Sequence, residues 1–144
     1  MNNGLAIIRK YEGLKLSSYL CPAKKWTIGY GSTFYENGSP VKEGERITME
    51  RADKLLHHTV GLFEKGVKQS VKVALSDNQT GALVSFAFNV GLAALRRSTL
   101  LKKVNANPND ATIRDEFMKW NRGGGKVLPG LIKRRTEEAD LYFG

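Results

Sequence analysis

With 144 residues, 41% of them apolar and 26% charged, the chain fits one globular domain able to bury a core, and its composition excludes disordered, collagenous and coiled-coil classes. It carries 23 Lys and Arg against 14 Asp and Glu, a net charge of +9, so polyanions such as nucleic acid, anionic lipid or bacterial wall polymers are its natural partners. A single cysteine, Cys21, excludes an intrachain disulfide and is either a small buried hydrophobe or a reactive thiol.

Leu5, Ile8 and Tyr11 or Glu12 recur at helical spacing, and Gly13 suits a left-handed C-terminal turn, which predicts a first helix ending at Glu12. The start of the chain lacks a basic segment and meets Arg9 after four apolar positions, so an export signal is not expected. No later stretch nears the ~18 apolar residues of a membrane span, which adds to the expectation of a soluble chain. From Leu14 to Tyr35 the texture turns to β-type alternation, clearest in Trp26-Thr27-Ile28-Gly29-Tyr30-Gly31, predicting a small antiparallel sheet of two or three strands. Glu36 to Pro40 is a turn cluster containing Asn37-Gly38.

Helices follow. Thr48 caps one running through Ala52, Leu55, Leu56, Val60 and Phe63, and Ser76 to Gln79 forms a capping box for an almost wholly apolar helix ending at Gly91. Ser98 to Val104 is a shorter helix, Asn107-Pro108 starts another through Ile113, Phe117 and Trp120, and Gly123 to Gly125 is a loop. Pro129 opens the last helix, with Leu131, Ile132, Ala139 and Tyr142 facing inward. Helix, small sheet, then several helices is an α+β order.

A carboxyl, a thiol and a hydroxyl stand out early in the chain: Glu12, then Cys21 nine positions on, then Thr27 six further. If the chain turns at Gly13, the strands carrying Cys21 and Thr27 fold back beside Glu12, and three functional groups line one cleft. The negative end of the first helix disfavours charge on Glu12, the setting a general acid needs near neutrality. Each residue alone has a plainer explanation: a solvated Glu, a packed Cys, a strand-forming Thr. His57 and His58 are adjacent and so point about 100° apart on a helix, and nothing completes a metal site around them, so no metal and no cofactor are expected. Gly29-x-Gly31 and Gly123-Gly124-Gly125-Lys126 lack the frames of nucleotide-binding loops.

Four blocks, Tyr-Glu-Gly-Leu-Lys-Leu from Tyr11, Trp-Thr-Ile-Gly-Tyr-Gly from Trp26, Leu-Val-Ser-Phe-Ala-Phe-Asn-Val-Gly from Leu83 and Gly-Gly-Lys-Val-Leu-Pro-Gly-Leu-Ile-Lys-Arg-Arg from Gly124, occur in an order and spacing that resembles the phage lysozymes of glycoside hydrolase family 24, the T-even phage lysozyme-like endolysins. The resemblance implies one lysozyme-like catalytic domain over 1–144, with a sheet-containing lobe at about 12–60 and a helical lobe at about 61–144 plus the N-terminal helix. It implies a muramidase that cleaves peptidoglycan between N-acetylmuramic acid and N-acetylglucosamine and lyses the host cell.

The family's Glu, Asp or Cys, and Thr triad then falls on Glu12, Cys21 and Thr27. Glu12 would protonate the leaving oxygen, Cys21 would direct a water or attack the anomeric carbon itself, and Thr27 would hold that water. Phe88 and Thr99 match glycan-facing positions, against plainer roles in packing or capping. Arg134 and Arg135 match a family pair that either reaches back to Glu12 or forms a solvated basic face. The implied partner is bacterial peptidoglycan, with secondary contact to anionic envelope surfaces, no specific nucleic acid, and a monomeric state. Synthesis in the host cytoplasm and release to the periplasm and wall through a holin pore are implied with it. A basic nucleic-acid-binding protein without hydrolytic activity is the alternative reading, although no nucleic-acid-binding motif supports it. Membrane disruption by the basic C-terminal helix is a further one.

Overall fold

Gly13, at φ +69°, ends the first helix where the sequence predicts: α1 spans Asn2–Glu12 and leads into β1 (Lys15–Leu20) and β2 (Trp26–Gly29). The computed structural model describes residues 2–144. Beyond a turn-rich connection come α2 (Met49–Ser70), α3 (Asp77–Val90), α4 (Leu92–Arg97), α5 (Thr99–Ala106), α6 (Ile113–Met118), the short strands β3 (Arg122–Gly123) and β4 (Lys126–Val127), and α7 (Pro129–Tyr142). This is the expected α+β order. The chain forms two compact units, one of Arg9–Leu62 and one that joins the residues up to Ile8 with Phe63–Gly144.

In the first unit β1 and β2 pair antiparallel, with Tyr19 opposite Thr27 and Leu20 opposite Trp26. Ile28, Val41 and Leu55 form its core, with Trp26, Tyr35 and Ile47 packed on them. Burying Ile28 and Leu55 completely stabilises the unit by about 1.5–3 kcal/mol each. The Thr48 hydroxyl caps α2 by accepting from the Arg51 amide at 3.1 Å, as its sequence position predicts. The turn at Asn37-Gly38 also forms: Asn37 Oδ1 accepts from the Ser39 amide at 2.9 Å, and Gly38 takes φ +84°.

In the second unit α3 is buried from Thr80 through Ala87, which explains why its sequence is apolar nearly all round. The Ser76 capping box is complete, with the Ser76 hydroxyl accepting from the Gln79 amide at 3.1 Å and Gln79 Oε1 accepting from the Ser76 amide at 2.9 Å. Phe86 is the hub of an edge-to-face cluster, its ring centroid 5.7 Å from Phe117 and 5.4 Å from Trp120. Helices α1 and α3 approach closely at paired glycines, since a Cβ on Gly4 would lie 2.4 Å from the Gly81 carbonyl oxygen.

The structure differs from the sequence expectations at four places. The helix expected from Asn107-Pro108 begins only at Ile113, because Asn107 Oδ1 accepts from the Asn109 amide and Asp110 Oδ1 from the Thr112 amide, two local turns that compete with helix. It also stops at Met118, short of Trp120. Residues 92–97, between Gly91 and Ser98, form α4, a helix that the sequence pattern does not predict. The glycine loop is a two-residue hairpin turn joining β3 and β4, with Gly124 at φ +58° and Gly125 at φ +80°, a pairing that favours a primed turn. In α7 Ala139 and Tyr142 are buried as expected, but Ile132 is exposed and Arg134, Arg135 and Glu138 are buried in addition.

That last exchange replaces a solvated basic face with a buried ionic cluster. Glu138 pairs with Arg134 at 3.2 Å and with Arg135, and accepts from the Ser85 hydroxyl at 2.5 Å. Arg134 also donates to the Ser85 carbonyl at 3.0 Å, and Arg135 donates to Asn89 Oδ1 and, at 3.0 Å, to the Trp120 carbonyl. Burial pushes the Glu138 carboxyl up, against the pull of Arg135, the Ser85 hydroxyl and Arg134.

Candidate active site

Glu12 is the last residue of α1, half-buried, and the left-handed Gly13 turns the chain directly from it into the β1–β2 hairpin. After β2 the backbone reverses again within five residues: Ile28 and Ser32 exchange two amide hydrogen bonds of 2.9 Å, with Gly29 at φ +67° and Gly31 at φ +90°. This turn brings Gly31 over the carboxylate, where an added Cβ would lie 3.7 Å from Glu12 Oε1. The two glycines of Trp-Thr-Ile-Gly-Tyr-Gly therefore have a stated geometric task, with no need of a nucleotide.

Cys21 lies at the start of the loop between β1 and β2. Its amide donates to the Lys25 carbonyl at 3.0 Å, its carbonyl accepts from the Lys24 amide at 2.8 Å, and Pro22 pre-sets the turn. Lys24 closes the loop at φ +61°, a region side chains avoid at a cost of about 1–2 kcal/mol. The reward is a thiol held beside hydrogen-bond donors. Hydrogen bonding from the Lys25 backbone and then from the Thr27 hydroxyl holds Cys21 below the ordinary thiol range, with burial opposing and the backbone at Ala23 and Cys21 adding to the lowering.

Thr27 is buried on β2, and its hydroxyl donates to the Lys25 carbonyl at 3.0 Å. A hydroxyl has one proton and two lone pairs, so while it donates to Lys25 it can accept from a water, and when the thiolate forms it can turn the proton to sulfur. Its proton is thus available to the ionised form of Cys21.

Tyr19 lies near all three of these residues. It stands opposite Thr27 in the hairpin register and two residues before Cys21, which places Tyr19 and Cys21 on one face of an extended chain. Burial, then Cys21, then Glu12 push its phenol up, so both acids act on it electrostatically. Period-2 alternation along β1 is the signal that could have singled Tyr19 out from the sequence. Gly31 carried no comparable signal, because its role is set by a turn that closes in space.

Of the other expected residues, Phe88 is half-buried against Phe63, with ring centroids 5.2 Å apart. Thr99 is exposed in the first turn of α5, and the cap there is the neighbouring Ser98, whose hydroxyl accepts from the Leu101 amide at 3.1 Å. His57 lies 3.4 Å from an Arg9 terminal nitrogen. Among the described residues no group of three or more His, Cys, Asp or Glu is placed to hold a metal ion.

A family model described as phage lysozyme matches residues 9–138. An endolysin of Bacillus phage B103 is 45% identical over 142 residues, covering 97% of this chain and 52% of its own, so the chain spans about half the length of that relative. Among solved structures, an endolysin from Escherichia coli O157:H7 phage FAHEc1 superposes with a TM-score of 0.88 at 38% identity, over 99% of this chain and 91% of that one. The muramidase domain of SpmX from Asticaccaulis excentricus superposes at 0.86 with 32% identity, over 100% of this chain and 97% of that domain.

Proposed function

Because the chain belongs to the phage lysozyme family, whose model matches residues 9–138, we propose that it is a muramidase endolysin. In this reading it hydrolyses the β-1,4 bond between N-acetylmuramic acid and N-acetylglucosamine in bacterial peptidoglycan and so lyses the host. The observation that carries the reading is geometric: the Cys21 amide and the Thr27 hydroxyl both donate to the Lys25 carbonyl at 3.0 Å, while the turn after β2 sets Gly31 against the Glu12 carboxylate.

Glu12 is the general acid and protonates the departing glycosidic oxygen as the oxocarbenium-like transition state develops. Cys21, as thiolate, takes a proton from a water on the opposite face of the sugar, and Thr27 holds that water through its free lone pairs. The cycle leaves Glu12 ionised and Cys21 protonated, and exchange with solvent resets both. An unperturbed thiol of pKa ~8.5 is only a few per cent ionised at pH 7, and the lowering of Cys21 raises the share of thiolate that this step needs. Phe88 and Thr99 are glycan-contacting residues in this reading. The protein acts as a monomer on peptidoglycan, with secondary contact to anionic envelope surfaces and no specific nucleic acid. It is made in the cytoplasm of the infected cell and reaches the wall through a holin pore.

The test is clearing of purified peptidoglycan by wild type and by Glu12→Gln. The variant should fold and clear at least about 100-fold more slowly, the least that loss of a general acid costs. Unimpaired clearing by Glu12→Gln would overturn the glycosidase reading.

A further inference from the structure

In the second unit, outside the Glu12, Cys21 and Thr27 constellation, three cations from three segments line one groove of about 430 Å³: Lys72 from the loop after α2, Arg96 from α4 and Lys102 from α5. All three are exposed, and among the described residues none forms an ion pair, in contrast to Lys68, Lys103, Lys119 and Arg114, which all do. The groove is built. Ser70 Oγ donates to the Gly66 carbonyl at 2.9 Å and accepts from Arg96 Nε at 3.1 Å, which fixes the guanidinium and leaves its terminal nitrogens for another acceptor. Asn105 ties the loop down from both sides, accepting from the Lys72 amide at 2.7 Å and donating to the Ser70 carbonyl at 3.2 Å.

We infer that this groove binds phosphodiester groups of an anionic wall polymer. A fixed guanidinium offers two parallel donors to one phosphate, and two ammonium groups add point charges that suit an anion with several oxygens. The exposed amide of Gln69 at the groove supplies donors and an acceptor for the hydroxyls of a polyol or sugar chain. A bilayer is a poorer occupant, because the groove is concave and its one apolar lining residue, Leu101, is 6% exposed and offers nothing to insert. Single-stranded nucleic acid is also poorer, since no aromatic ring lines the groove to stack a base. The choice of wall polymer as source rests on the endolysin reading, whereas the phosphate chemistry stands without it. Repeated phosphates along one polymer would multiply a weak single contact into retention on the wall.

The test measures binding, independent of hydrolysis, in a Glu12→Gln background by titration with soluble poly(glycerol phosphate). The Lys72→Gln, Arg96→Gln, Lys102→Gln triple variant is compared with a charge-matched control, Lys54→Gln, Lys65→Gln, Lys133→Gln, at three exposed positions outside the groove. The groove variant should lose about tenfold or more in affinity, the control less than about threefold, and inorganic phosphate should compete. Equal loss in both variants would reduce the effect to net charge and overturn the site. Phosphatidylglycerol vesicles or oligo-dT bound as tightly as the polymer, with the same dependence on the groove residues, would overturn the wall polymer as its ligand. If Glu12→Gln still clears peptidoglycan while the groove binds as stated, the enzyme reading fails and the phosphate site survives. The converse result separates them the other way.

Discussion

In the proposed triad Cys21 stands where a carboxylate is the commoner residue, and two neighbours lower its proton affinity, the Lys25 backbone and the Thr27 hydroxyl. The thiolate is populated above the folded pKa and lost as pH falls through it, so alkylation rate and hydrolysis should share an acid limb whose midpoint lies below that of an ordinary thiol. Thr27→Val should move that midpoint upward, because one hydrogen bond to the charged form is gone. Cys21→Ala should cripple hydrolysis and Cys21→Asp should retain it, read as initial clearing rates. Full activity after stoichiometric alkylation would reduce the thiol to packing. The spacing of Glu12, Cys21 and Thr27 was legible in the sequence because helix end, glycine and strand lie within 16 positions of one another. Tyr19 was within reach of the strand alternation, whereas Gly31 was not, since its place is set by a partner across a turn.

Among the elements, the α1–α3 crossing is a tight constraint, as a side chain on Gly4 would run into the Gly81 backbone. Gly4→Ala should destabilise by about 1–3 kcal/mol, measured by denaturant unfolding, because the clash is with backbone that cannot rotate away. Glu138→Gln should cost about 3–5 kcal/mol by the same measurement, since it leaves two buried guanidiniums short of their carboxylate. A loss under ~1 kcal/mol would contradict the ionic cluster. Caps and glycine stops were readable from sequence at Gly13, Thr48, Ser76 and Gly91 because they are local hydrogen-bond chemistry. The inward turn of Arg134 and Arg135 was not, because the partners that make their burial tolerable lie on α3, at Ser85 and Asn89, as well as along α7.

For the molecule as a whole, the net charge of +9 divides into unlike parts. Arg134 and Arg135 are buried and committed to structure, Arg9 and Arg51 are paired with Asp53 and Glu36, and Lys72, Arg96 and Lys102 stand without an ion pair. Among the described residues no helix is long and apolar enough to cross a membrane. The α+β order was readable from periodicity, while the division into two compact units depends on packing between segments distant in sequence and so lay beyond a local reading. The central claim is the bond that is cut, and the sugar at the new reducing end identifies it. Digestion of purified peptidoglycan, borohydride reduction and mass spectrometry of the fragments should find reduced N-acetylmuramic acid from the wild type and none above background from Glu12→Gln. Reduced N-acetylglucosamine, or new amines without new reducing ends, would contradict the account.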